Sequence, residues 1–348
     1  MKRTFFTLML LGLGLGAAAQ ELQTLREYLE AGLERNYDIR IIRNEERISD
    51  NNATAANAGK LPTIDLSAGY TGRLDNDRTT PRGGDPVTEN GIYNQTFDVG
   101  LAVNWTLFDG FRIRAEYAKL EELKAKGALQ TRLTIEDFIA SFTAEYYNFV
   151  QQKLRLGNYL YAMALSRERL RIAEEWYRVG SSARLDVLQA RVDFNADSSQ
   201  YMSQQEAVTA SRIRLNELLA NEELDRKLNV RDSLIAIDAE LEWERLMAQT
   251  RETNASLLLA DRDNTISELE LESIRSRNYP YLKLQAGYGY THNRYGGGAN
   301  RSNGTLGLNA GVQVGFTIFD GNRRREQRNA RIGIENARLT RMQLEQSL

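Results

Sequence analysis

The 348-residue chain contains no cysteine. Disulfides, thiolate zinc sites, a cysteine nucleophile and a lipid-anchored N-terminal cysteine are therefore excluded. A single histidine, His292, leaves no His-cluster metal site and no repeated histidine relay. Lys+Arg 45 against Asp+Glu 47 gives a net charge of -2, without the basic excess that a nucleic-acid binder needs. Past the N-terminus no run approaches the ~18 apolar residues of a spanning helix, and the mean hydropathy is -0.50. The first reading is a soluble chain of about two domains, and the strand patterns below overturn its solubility.

Lys2 and Arg3 precede an apolar run from Phe5 to Leu15 and then Ala17-Ala18-Ala19-Gln20. A basic start, a short apolar stretch and an A-x-A site make a secretory signal peptide over residues 1–20. A noncleaved anchor is the rival reading, and the run is short for one. The mature chain is expected to begin near Gln20 or Glu21.

Glycine and proline are scarce through the middle. Between Phe111 and Ala286 the glycines are Gly127, Gly157 and Gly180, and the only proline is Pro280; elsewhere stand Pro62, Pro81 and Pro86. Ala, Leu, Glu, Arg and Gln dominate this stretch, which predicts long helices. One helix, from about Phe111 to Val179, would extend about 100 Å at ~1.5 Å per residue. Its apolar residues recur at threes and fours: Leu129, Leu133, Ile135, Phe138, Ile139, Phe142, Tyr146, Phe149 and Val150. That spacing is a seam for neighbouring helices.

Two regions switch to period 2. Ile64, Leu66, Ala68 and Tyr70 alternate with small polar residues. So do Phe97, Val99, Leu101, Val103, Trp105 and Leu107; Leu282, Leu284, Ala286, Tyr288 and Tyr290; and Leu306, Leu308, Ala310, Val312, Val314, Phe316 and Ile318. Each run of roughly a dozen residues reaches the ~9–11 that cross a bilayer when tilted. A face of mostly small polar residues opposite an aromatic-bearing apolar face is the pattern of a membrane barrel. Val103, Trp105, Tyr288, Val314 and Phe316 are placed on the lipid side. Arg73–Asn94 and His292–Asn303 read as polar loops joining the strands. Open sheet edges do not survive in lipid, and four strands cannot close a barrel, so the chain is expected to oligomerise.

The chain repeats itself. Pro62 matches Pro280, Ala68-Gly69-Tyr70 matches Ala286-Gly287-Tyr288, Asn36 matches Asn254, and Phe108-Asp109-Gly110 matches Phe319-Asp320-Gly321. The matches before and after each hairpin differ in offset by seven residues, which is attributed to the hairpin loops. The unit is helix, long hairpin, helix, and it occurs twice. Asp109-Gly110 and Asp320-Gly321 are read as strand-to-helix caps in preference to a channel ion site. Arg112, Arg114, Arg323, Arg324, Arg325 and Arg328 follow them, facing either lipid phosphates or solvent. Val179-Gly180-Ser181-Ser182 reads as a helix end with a left-handed glycine, Ser181 or Ser182 capping the returning helix.

On these motifs (the doubled unit, the L-F-D-G and I-F-D-G elements, and V-G-x5-D-V-L-x-A at Val179 to Ala190) the chain resembles TolC-like outer membrane efflux proteins along nearly its whole length. The resemblance implies a mostly helical fold with membrane strands. Long antiparallel helical hairpins would form a periplasmic tunnel, and four strands per chain a 12-strand barrel shared by a homotrimer. It implies the exit duct of a tripartite efflux or type I secretion system, with a periplasmic adaptor (membrane fusion) protein, an inner-membrane pump and outer-membrane lipid as partners. Val179, Gly180, Ser181, Ser182 and Asp186 would form the tip where the adaptor docks, with Ala183 where Ser or Thr is common. The expected divisions are a signal peptide (1–20), an N-terminal segment and first helix (21–60), a first hairpin (61–108) and a long helical hairpin (109–220). An equatorial segment (221–240), a helix (241–278), a second hairpin (279–319) and a second long helix (320–348) follow. Only 27 residues follow Gly321, so a second tip turn and its return helix are expected to be missing, with the constriction carboxylates. A periplasmic or surface coiled-coil protein without a pore is the alternative. An exported enzyme is a third reading, but paired acids such as Glu121-Glu122 and Glu174-Glu175 lie on charged helix faces. No catalytic, metal or cofactor-binding residue and no cofactor is assigned.

Overall fold

A computed structural model describes residues 24–231, 242–297 and 300–348. The expected signal peptide and residues 232–240 of the expected equatorial segment lie outside the described residues. The chain divides into two compact units, one of Met1–Ile41 with Thr134–Leu241, the other of Ile42–Leu133 with Glu242–Leu348.

The first unit is helical. α1 (Leu25–Arg35) opens with a capping box: Thr24 Oγ1 accepts from the Glu27 amide, and the Thr24 amide donates to Glu27 Oε2 at 2.9 Å, satisfying two end donors at once. α2 (Tyr37–Asn52) begins here, and α3 (Arg112–Arg178) and α4 (Arg184–Leu218) form a helical hairpin. Phe138, Phe142, Tyr146, Phe149 and Val150 turn one stripe of α3 into the core. Tyr28, Ile39, Leu215 and Leu219 meet it, and Ile139 falls outside at 38% exposure. Phe138 stacks on Phe142 at 5.7 Å between centroids, and Tyr28 tilts against Tyr146 at 6.1 Å.

Polar groups set the register of this hairpin. Glu145 accepts a short hydrogen bond from Ser211 and another from Asn148 at 3.1 Å. Gln152 donates to Asn148 Oδ1 at 3.0 Å, and Gln204 donates to Gln152 Oε1 at 2.6 Å. Asn216 is fully buried and ties down the chain beyond α4, donating to the Leu224 and Arg226 carbonyls at 2.9 Å each. Asn36 separates α1 from α2: its Oδ1 caps the Ile39 amide and its Nδ2 reaches the Leu218 carbonyl.

The second unit joins helices to a sheet. α5 (Trp243–Thr253) and α6 (Ala255–Arg275) repeat α1 and α2, with Asn254 capping Ser256 and Leu257 as Asn36 caps Ile39. α7 (Gly321–Ser347) lies along α6 through Arg338–Glu268 at 3.0 Å and Arg341–Asp261 at 2.5 Å. These are exposed pairs that fix alignment more than stability. β1 (Thr63–Thr79), β2 (Val87–Asp109), β3 (Tyr281–Arg294) and β4 (Ser302–Gly315) form one antiparallel sheet in the order β1-β2-β3-β4. The repeats meet at its centre, where β2 pairs with β3.

Two expectations about the strands change. Arg73–Asn94 is not a loop: β1 continues to Thr79 and β2 starts at Val87, with a bulge near Gly91, whose amide donates to Asn76 Oδ1 at 2.8 Å. The connections, residues 80–86 and 295–301, are equal in length, so the seven-residue difference lies in the strands together with residues 316–320, which follow β4 outside any strand. Both faces are exposed at this end, and no alternation of hydrophobicity is needed to hold the pairing. Phe316 and Ile318 also lie outside the strand expected to hold them, because β4 ends at Gly315. Their counterparts Trp105 and Leu107 belong to β2 because β3 lies beside it.

Candidate functional site

The sheet sorts its side chains cleanly. Register places Ile64 beside Val103 and Val103 beside Ala286, with Ala310 next; Leu66, Leu101, Tyr288 and Leu308 form the adjacent row. These rows share one face, and Trp105 and Val314 also belong to it. Leu66 is 75% and Leu308 77% exposed. An apolar surface of this extent does not persist in water. Trp105 anchors its lower edge, Nε1 donating to the Lys60 carbonyl at 3.0 Å. The opposite face carries Ser67, Asp98, Gly100, Asn104, Gln285, Gly287, Thr291 and Asn309, which line a shallow depression. A Cβ on Gly69 would stand 2.7 Å from Asp98 Oδ1, and one on Gly287 2.7 Å from Asn309 Oδ1. The glycines thus make room for polar side chains from neighbouring strands.

The two strand-to-helix joints share a sequence and differ in structure. At the first, Gly110 (φ +69°) and Phe111 (φ +73°) are both left-handed. Asp109 Oδ1 accepts from the Ile113 amide at 3.1 Å, and its other oxygen pairs with Arg112 at 3.1 Å. Phe111 lies edge-on to Phe108 and to Tyr279. At the second, Asp320 is an ordinary N-cap, accepting from Asn322 at 3.0 Å, and Gly321 is the first residue of α7. Gly110→Ala would place a Cβ 2.1 Å from the Ser276 carbonyl oxygen. It is expected to lose roughly 1–3 kcal/mol by overpacking, while Gly321→Ala meets nothing closer than 3.8 Å and should change little. Urea midpoints of the detergent-folded variants check this contrast, and equal shifts would contradict it.

The turn between α3 and α4 is built from the backbone outward. Gly180 (φ +78°) donates to the Tyr177 carbonyl at 3.0 Å, and the Ser181 amide to the Trp176 carbonyl at 2.9 Å. This paired pattern is a Schellman ending, and it uses the left-handed glycine. The expected serine caps are corrected: Ala183 is the N-cap residue of α4, and its side chain offers no oxygen. Asp186 instead reaches back from three residues on, taking the Ala183 amide at 3.1 Å and the Ser182 hydroxyl at 2.7 Å. Those two bonds, the hydroxyl first, hold the Asp186 carboxyl below the usual carboxylate range. An acid three residues after Ala183 was the signal that could have located the cap. Val179, Leu185, Leu188 and Val192 are exposed around the turn, and Arg191 bridges back to Glu174 at 2.8 Å.

The family model for outer membrane efflux proteins matches residues 17–221. The chain belongs to that family. Solved structures share its fold across more than nine-tenths of its length. CmeC of Campylobacter jejuni, an outer membrane channel, superposes with a TM-score of 0.76 at 15% identity, over 92% of this chain and 67% of CmeC. A membrane protein from Pseudomonas aeruginosa gives 0.74 at 14% identity, over 93% and 74%. VceC, an outer membrane protein of Vibrio cholerae, gives 0.69 at 14%, over 93% and 75%. At these identities the likeness establishes the fold: helical hairpins joined to a four-stranded antiparallel sheet. No curated protein matches the sequence. As an outer membrane efflux protein, the chain is an outer-membrane component.

Proposed function

We propose that this protein is the exit duct of a tripartite efflux or type I secretion assembly, working as a homotrimer and conducting substrates passively from the periplasm to the exterior. The observation that carries the reading is the sheet, with one apolar face and one polar, glycine-rich face. Both of its outer edges, on β1 and β4, lack a strand partner among the described residues. A sheet of this kind is stable in lipid only when its edges are paired and its polar face encloses water. The apolar rows, including Val103, Trp105, Tyr288 and Val314, then face lipid, and Asp98, Asn104 and Asn309 face the lumen.

The exposed apolar residues around Gly180, with Asp186 fixing the turn, supply a surface for a periplasmic adaptor protein and, through it, an inner-membrane pump. The energy of transport comes from those partners, since a passive duct has no chemistry of its own. Native mass measurement of the detergent-purified mature chain is expected to give a trimer, and planar-bilayer recording discrete conductance steps. A monomer with a folded sheet and no conductance would overturn the reading.

A further inference from the structure

The internal repeat contains a template for the interface between copies. β2 closes the hairpin of the first repeat and β3 opens the hairpin of the second, and they pair within the chain: Val103 opposite Ala286, Leu101 opposite Tyr288, Trp105 opposite Leu284. β4 is the counterpart of β2 and β1 the counterpart of β3, by the matches Gly110 with Gly321 and Pro62 with Pro280. Pro62 and Pro280 each stand directly before the first residue of their strand, Thr63 and Tyr281. We infer that β4 of one copy pairs with β1 of the next in the register that β2 takes on β3, which sets Val314 opposite Ala68 and Val312 opposite Tyr70. This rests on the proposed shared barrel and adds residue-level pairing to it.

Three observations select this register. Val314 and Ala68 both lie on the apolar face within their own hairpins. A slip of one residue would set apolar positions against polar ones along the whole seam. A slip of two keeps the faces aligned, and there the repeat decides. In β2 the register shifts between Thr106 and Phe108, so Leu107 is the extra residue, and pairing continues to Asp109 opposite Tyr281. Carried to β4, the extra residue is Ile318, and Phe319 and Asp320 fall opposite Ile64 and Thr63. This accounts for an otherwise odd segment: Phe316, Ile318 and Phe319 are 54%, 86% and 86% exposed and belong to no strand. Docking extends β4 through Asp320 and places these side chains as Trp105, Leu107 and Phe108 are placed in β2.

The cysteine-free chain allows a direct test in the full-length protein. Ala68→Cys with Val314→Cys brings two Cα atoms to the ~4.5–5.5 Å of facing residues, within disulfide reach. Leu66→Cys or Tyr70→Cys with Val314→Cys represents a two-residue slip, at roughly 7–8 Å. Oxidation in membranes should link the 68/314 pair into covalent dimers and trimers on nonreducing gels, in roughly tenfold excess over either slip pair. Thr71→Cys with Gly311→Cys tests the same register from the polar face, and a Cβ on Gly311 meets nothing within 4 Å. It should also link even if the lipid-face cysteines disturb folding. Preferential linkage of a slip pair in a protein that is trimeric by native mass would overturn the register and leave the duct reading intact. A folded monomer that links at neither pair would remove both.

Discussion

Val103→Arg is expected to abolish the assembled, detergent-resistant barrel, while Asn104→Arg leaves most of it in place. The two residues are adjacent on β2 and point to opposite faces. Val103 sits between Ile64 and Ala286 in the apolar rows, and Asn104 between Thr63 and Gln285 on the polar face. An arginine at mid-strand on the lipid side costs about 2–4 kcal/mol, falling toward the interfaces. The same residue on the other face keeps its guanidinium in water. Heat-modifiability on gels, with the yield of protein in the outer-membrane fraction, measures the difference. Equal defects would mean that the apolar rows do not face lipid.

Phe142→Ala is expected to cost about 3–5 kcal/mol. Phe142 has no exposed surface and lies between Phe138 and Tyr146 on the α3 stripe. Leu215 of α4 and Tyr28 of α1 belong to the same cluster, so truncation leaves a cavity where three helices meet. The expected readout is a guanidinium midpoint, followed by helix signal, well below that of the parent. Ile139→Ala serves as the comparison, since Ile139 is on the same helix and 38% exposed. A shift for Phe142→Ala no larger than for Ile139→Ala would place the core elsewhere.

These expectations were readable to different depths. Phe111 to Val179 reads as one helix, and α3 runs from Arg112 to Arg178, because a long supply of helix formers ends at a glycine free to take the left-handed turn that stops it. The four alternating runs locate the sheet for a similar reason: membrane and water force opposite faces apart in polarity. The same logic fails where that pressure stops. Arg73–Thr79 and Val87–Asn94 are strand with both faces in solvent, so their pairing leaves no period in hydrophobicity. Phe316 and Ile318 fail in the other direction. Their alternation is correct for a strand, yet among the described residues β4 has no neighbour on that side to hold them. The twin Phe-Asp-Gly motifs hid a third difference. Identical residues gave one left-handed pair, at Gly110 and Phe111, and one plain cap, at Asp320. The distinction lies in packing against Ser276 and Tyr279, which are far away in sequence.

The turn at Gly180 is held by hydrogen bonds of its own. Its bonds run among Trp176, Tyr177, Ser182, Ala183 and Asp186, and a side chain on Gly180 would meet no atom within 4 Å. Such a turn is portable: moved onto another antiparallel helix pair of the same separation, residues 176–186 would take their geometry with them. Val179, Leu185 and Leu188, exposed around it, can then be substituted without disturbing the bend, because they are not the groups that shape it.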